Sequence, residues 1–148
     1  MPKRLALTAA IGAALSLGLI ATGVAPASAA AANCPSGAAC IWGDTLWKTS
    51  GKDGALISFQ RYIPDYSEVS HKYVGTTIRG NDTASSVKNN GNWERVRFHE
   101  HARHGGAYIQ LKPGQSDGNM HDAIGDVTKV FYDRISSGYF ESFWGLAW

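Results

Sequence analysis

Apolar residues recur along this chain in short runs rather than in helical rows. Six runs carry them: ACIWG, ALISFQRY, SSVKN, WERVRFHE, AYIQLK and DVTKVFYD. WERVRFHE alternates, with Val96 and Phe98 on one face and Arg95, Arg97 and His99 on the other. That period of two marks a half-buried strand. Trp93 falls on the arginine face and precedes the regular part. Turn-forming stretches divide the runs: NNGN at 89–92, HGG at 104–106, KPG at 112–114 and SDGN at 116–119. No segment keeps apolar residues at i, i+3, i+4 and i+7 for three turns. Many short strands with Gly-rich turns predict an all-β sandwich or barrel, with no linker or second domain.

The first 29 residues stand apart. Lys3 and Arg4 precede an uncharged, mostly apolar stretch from Leu5 to Val24, and Ala27-Ser28-Ala29 has the A-x-A form. This predicts a secretory signal peptide cleaved after Ala29, and not a membrane span. Residues 30–148 then form one domain. The leader holds two of the 14 basic residues and no acidic ones, so the remainder balances 12 Lys+Arg against 12 Asp+Glu. A balanced chain carries no electrostatic footprint for nucleic acid or an anionic membrane. The two cysteines, Cys34 and Cys40, flank the turn signal Pro35-Ser36-Gly37. In an exported chain they predict a disulfide that closes a tight loop, worth about 2 kcal/mol.

FHEHARHGG (98–106) crowds three histidines around a glutamate. A zincin needs H-E-x-x-H on a helix. Counting from His99, Arg103 stands where the second histidine belongs, and His104 is one place late. The stretch reads instead as a hairpin. Phe98 anchors it, Gly105 supplies a backbone conformation closed to other residues, and the histidines lie on the outward side and tip. His99 and His101 then share a face, which leaves a weak surface metal site open beside the simpler solvated hairpin. No G-x-S-x-G motif or reactive cysteine is present, and Glu100 on an exposed hairpin has little cause for a shifted pKa. No catalytic residue is therefore named, and an enzyme is not expected.

A weak duplication is visible. Trp42 leads to Ala55-Leu56-Ile57 and then to Ser85-Ser86-Val87; Phe98 leads to Tyr108-Ile109 and then to Thr128-Lys129-Val130. The first unit needs an insertion, placed at 62–74. Two such units predict two Greek keys on one core, about 38–90 and 93–133, followed by an aromatic tail at 135–148. The tail, with Tyr139, Phe140, Phe143, Trp144 and Trp148, is either an exposed patch or a last strand or lid packed on the core.

These residues resemble the βγ-crystallins. Their Greek keys carry an aromatic, six residues and a glycine in the first hairpin, and later a clamp of the form N/D-N/D-x-x-S/T-S. Phe98 to Gly105 is similar to the hairpin, and Asn81-Asp82-Thr83-Ala84-Ser85-Ser86 is similar to the clamp. With the leader and the CPSGAACIW start, the chain resembles peptidase inhibitor family I36, small secreted βγ-crystallin-like proteins of actinobacteria typified by a Streptomyces metalloproteinase inhibitor. The resemblance implies a βγ-crystallin-like two-Greek-key β-sandwich that is a secreted monomer and whose partner is an extracellular metallopeptidase.

The resemblance also implies one weak Ca²⁺ site, with oxygens from Asn81, Asp82, Thr83 and Ser85 and a contribution from Thr128 in the partner segment 124–129. The alternative is that the clamp only hydrogen-bonds its own loop. Candidate inhibitory loops are 62–74 and 112–124, and no reactive bond is singled out. The family type braces its structure with a second disulfide, for which this chain has no cysteines. The alternative function is a non-inhibitory calcium-binding or killer-toxin-like antimicrobial module on the same fold.

Overall fold

A computed structural model describes residues 34–47 and 56–147. The expected leader and cleavage site, Ala55 and Trp148 lie outside the described residues. The first unit supplies β1 (Ala39–Trp42), β2 (Leu56–Phe59), β3 (Tyr62–Ile63) and β4 (Ser86–Asn89). The second supplies β5 (Val96–His99), β6 (Tyr108–Leu111), β7 (Ser116–Asp117) and β8 (Ser137–Phe140). All pairings between these strands are antiparallel.

The strands form two sheets, in the orders β2-β1-β4-β7 and β3-β8-β5-β6. Each unit thus lends its third strand to the other's sheet. Ile41, Ile57, Val87, Val96, Phe98, Ile109 and Leu111 meet between the sheets, joined by Tyr66, Tyr73, Met120 and Phe131 from the connections. The fold is all-β, as the alternation predicts.

Register fixes the internal symmetry. Trp42 pairs with Leu56 and Ser86, while His99 pairs with Tyr108 and Ser137. Trp42 therefore corresponds to His99, and Ile41 to Phe98, one place away from the match read in the sequence. Ser85-Ser86-Val87 corresponds to Ser136-Ser137-Gly138, not to 128–130. The extra length of the first unit is not confined to 62–74. The span from Ile41 to its partner Ile57 is five residues longer than that from Phe98 to Ile109.

DVTKVFYD is not a strand. Its apolar residues act singly: Val127 and Phe131 are buried four places apart, and Val130 between them is exposed. The SDGN stretch, read as a turn, begins with β7. The tail begins with β8, which lies between β3 and β5. The second unit thus runs on to Phe140, and Tyr139 and Phe140 are buried rather than part of an exposed patch.

β1 and β8 are buried on both faces. Behind β1, Cys40 and Trp42 pack with Ala38, Cys34, Trp47 and Leu56, and the Cys34–Cys40 disulfide closes this layer. Behind β8, Tyr139 stacks on Tyr62, which meets Phe143 at 5.2 Å between ring centroids. Trp144 donates its indole N–H to the Tyr139 carbonyl at 3.1 Å and lies 3.6 Å from the Arg97 guanidinium. The tail is a lid on the second sheet.

Asn89 ties the units together at the far end. Its buried side-chain amide donates to the carbonyls of Glu94 (2.9 Å) and Leu111 (3.1 Å), and its oxygen accepts the Gly91 N–H at 2.9 Å.

At Gly138 a Cβ would come within 2.7 Å of the Phe59 ring. Overpacking of this kind costs about 1–3 kcal/mol. Gly138→Ala is expected to lower unfolding free energy by that amount in a urea titration. An unchanged midpoint would show that the two sheets are not in close contact there.

Candidate functional site

The clamp residues sit where the two units cross. Asp82 and Asp133 both adopt left-handed backbone, with φ of 52° and 50°. The Asp82 N–H donates to the Ile135 carbonyl at 3.0 Å, and the Asp133 N–H donates to the Ala84 carbonyl at 2.9 Å. The bonds that follow also come in pairs. Ser85 N–H donates to Trp42 O (2.8 Å), and Ser136 N–H to His99 O (2.8 Å). The Ser86 hydroxyl donates to Asp44 O (2.7 Å), and the Ser137 hydroxyl to His101 O (2.8 Å). Each pair of serines therefore tethers the first hairpin of its own unit.

The second clamp is thus 132–137, Tyr-Asp-Arg-Ile-Ser-Ser, rather than 124–129. Thr128 does not join Asn81–Ser86. It lies with Asp126 and Lys129 in a separate shallow cleft beside Tyr108, Ile109 and Gln110. Sequence reasoning missed Asp133 because tyrosine fills the first position of its clamp. The signal that could have found it was the spacing Asp133-x-x-Ser136-Ser137.

Asp82, Thr83, Ser85 and Asp133 line one cleft with Gly43, Tyr73 and Ile78. Asn81 donates its amide to the Asp82 carboxylate at 2.8 Å, and the Ser136 hydroxyl lies 2.9 Å from that carboxylate. The Thr83 hydroxyl bonds to Tyr73 Oη and to Arg79 O, both at 3.1 Å. Burial pushes the Asp133 carboxyl up; His121 opposes this and the Asp82 charge adds to it. Carboxylate, hydroxyl and carbonyl oxygens around one cleft are the donors a hard cation takes. Among the described residues no group of three or more His, Cys, Asp or Glu side chains is gathered to hold a metal.

The histidines are not an outward-facing set. His99 is buried, with Tyr108, His104 and Tyr139 around it. It occupies Trp42's place, and the lid keeps this outer face dry. His101 is exposed, beyond the end of β5. The two therefore do not form a shared site. Gly105 is needed for close approach, since a Cβ there would lie 2.9 Å from His101 Cβ. The left-handed residues of the hairpin are Arg103, His104 and Gly106. Glu100 is paired with Arg134 and also accepts the Ala107 N–H at 3.3 Å. The arginine bond, first, and the backbone N–H hold its carboxyl below the usual range.

Both candidate loops are anchored. In 62–74, Tyr66 and Tyr73 are buried, and Arg79 donates to Ser67 O at 2.8 Å. In 112–124 and the residues beyond, Met120 and Val127 are buried while Ile124 is exposed.

A family model described as peptidase inhibitor family I36 matches residues 27–111, more than half of the chain. No curated protein gives a match. Among solved structures, a chain from work on the evolution of the eye lens βγ-crystallin domain fold is 21% identical, with 72% of this chain and 88% of that one covered and a TM-score of 0.54. A βγ-crystallin from Ciona intestinalis is 17% identical, with 71% and 100% covered and a TM-score of 0.49. The fold is that of a βγ-crystallin domain.

Burial first, then the charges of His104 and Arg97, lower the His99 pKa from 6.5 to about 4. Below pH 6.5 the unfolded chain takes up a proton that the folded chain refuses. Stability is therefore full above pH 6.5 and falls as pH drops to about 4, by about 3 kcal/mol. Unfolding free energy measured across this window is expected to show that slope, and His99→Phe to flatten it. An identical slope in the variant would contradict a dry His99.

Proposed function

The chain belongs to peptidase inhibitor family I36, and from that premise we propose a secreted, monomeric inhibitor of extracellular metallopeptidases. Its partner is a peptidase, and it is not itself an enzyme. The family match supports the peptidase-inhibitor part of this reading. The leader-like first 29 residues support secretion. Among the described residues no helix is long and apolar enough to cross a membrane. Anchored loops support the mode of action: a segment already held in place loses little ordering entropy on binding.

A tight-binding titration against a thermolysin-like metallopeptidase is expected to reach a stoichiometric end-point. No inhibition by folded protein at micromolar concentration would overturn the metallopeptidase reading and favour the non-inhibitory module.

A second reading concerns Ca²⁺. Asp82 and Asp133, brought to one cleft with Ser85 and Thr83, favour one weak site there. Millimolar Ca²⁺ is expected to raise the Tm of the protein by a few degrees through binding to the folded state. The gain is expected to vanish in Asp82→Asn and Asp133→Asn. A Tm indifferent to Ca²⁺ would leave the clamps as hydrogen-bonding devices alone.

A further inference from the structure

Trp93 is the most exposed large apolar side chain among the described residues, at 90%. Tryptophan is highly buried on average, so an indole left in water on a fixed loop is unusual. The loop is fixed from several sides. The Asn89 side chain holds it through the Gly91 N–H and the Glu94 carbonyl. Asn90 donates its N–H to Ala38 O and accepts the Gly37 N–H, both at 2.9 Å, and its amide donates to Cys34 O at 2.8 Å. The Glu94 carboxylate accepts the Ser142 hydroxyl at 2.6 Å and the Ser142 N–H at 3.1 Å.

Val69, Val74 and Ile124 are also exposed, but an aliphatic side chain has no flat face. Trp93 is further distinguished by what stands beside it. It borders a shallow cleft with Gly37, Gln60, Asn92 and Phe143. Gln60 comes from between β2 and β3, and Asn92 from between β4 and β5. Their amide nitrogens lie 4.0 and 3.8 Å from the place a Cβ would take at Gly37. Gly37 has a φ of 79°, which disfavours any side chain there, so the space between the amides stays open. Neither amide has a hydrogen-bond partner among the described residues.

The chemistry of the cleft narrows its ligand. No lysine, arginine or histidine lines it, so it gives an anion no counter-charge. Its one carboxylate, Glu94, has both oxygens on Ser142. Asn90 gives its backbone N–H and C=O to the disulfide loop, and Asn89 takes those of Gly91 and Glu94, so an extended peptide meets no open edge. What is left is one flat aromatic face and two neutral amides, each able to donate and accept. A pyranose ring has the complementary form. The C–H groups of its flat face carry slight positive charge and suit the electron-rich indole face. The hydroxyls on its rim both donate and accept.

We propose that Trp93, Asn92 and Gln60 bind a neutral polysaccharide, with one sugar ring stacked on the indole and its hydroxyls bonded to the two amides. The loop is held before the ligand arrives, so little ordering entropy is lost on binding. A second shallow cleft shares Gln60 and runs past Ser58 and Arg61 to Pro35, which suits a chain of rings rather than a lone sugar. The site shares no lining residue with the clamp cleft and does not depend on the inhibitor reading.

The test mixes protein expressed from the full chain with insoluble chitin, cellulose and β-1,3-glucan, and measures the bound fraction with and without the matching soluble oligosaccharide. Retention on at least one polymer, reversed by its oligosaccharide, is expected, and that polymer identifies the sugar. Trp93→Ala is expected to weaken binding about 10- to 100-fold, the loss of one buried aromatic face. Trp93→Phe keeps a flat face and is expected to lose less. Gln60→Ala and Asn92→Ala are each expected to weaken binding about fivefold, the loss of a hydrogen bond. Val69→Asp, on another loop, is expected to bind as the wild type does. Circular dichroism melts check that each variant is folded. No retention on any polymer, retention that the oligosaccharide does not reverse, or equal retention by Trp93→Ala overturns the proposal. Loss of peptidase inhibition in folded Trp93→Ala, with no polysaccharide bound by the wild type, places a peptidase on this face instead.

Discussion

Two backbone hydrogen bonds, given and returned, set the rest of this structure. Asp82 donates to the residue before Ser136, and Asp133 donates to the residue before Ser85. Both donors sit in left-handed backbone, which turns each chain into the other's path. The exchange of β3 and β7 between the sheets follows the same symmetry. Neither unit can complete its own sheet or cover its own apolar face alone. Folding must therefore join contacts that are far apart in sequence, and the product is one cooperative body.

A sandwich this small has little interior, and the chain adds to it by covering the outer sheet faces. The two covers differ in chemistry. On the first sheet Trp42 lies under the Cys34–Cys40 loop and Trp47. On the second, His99 takes Trp42's place, and the lid is made of Tyr139, Tyr62, Phe143 and Trp144. One cover is held by a covalent bond, the other by stacking and by arginines over aromatic faces. A body covered on both sides gives its loops fixed ends. Within 119–126 the short polar side chains Asn119, Asp122 and Asp126 hold the segment by bonds to backbone and to one another.

Much of the fold was legible in the sequence. β1, β2, β4, β5 and β6 all fall inside the predicted runs, because β-branched and aromatic residues mark them. β3 and β7 have two residues each, too few for any period to register. β8 was hidden by its small residues: Ser137 is there to tether a hairpin, and Gly138 to admit the Phe59 ring. The duplication was legible but slipped by one place. Trp42 and Phe98 look alike as aromatics, yet they face opposite sides of their sheets. Alternation told which face His99 was on; it could not tell that the outer face is dry, because the lid comes from residues some 40 places away. The first clamp was legible by motif and the second only in part, and the bond that the Ile124 N–H donates to the Asp122 carboxylate is visible only in the folded loop.

The account stands on the claim that the crossing binds the two units into one. Native-state hydrogen exchange at the Asp82 and Asp133 amides tests this most directly. The account predicts that both amides exchange only through global unfolding, with protection equal to each other and to the unfolding free energy. If one of them exchanged much faster than the other, the units would open separately, and the reciprocal crossing would not be what holds the molecule together.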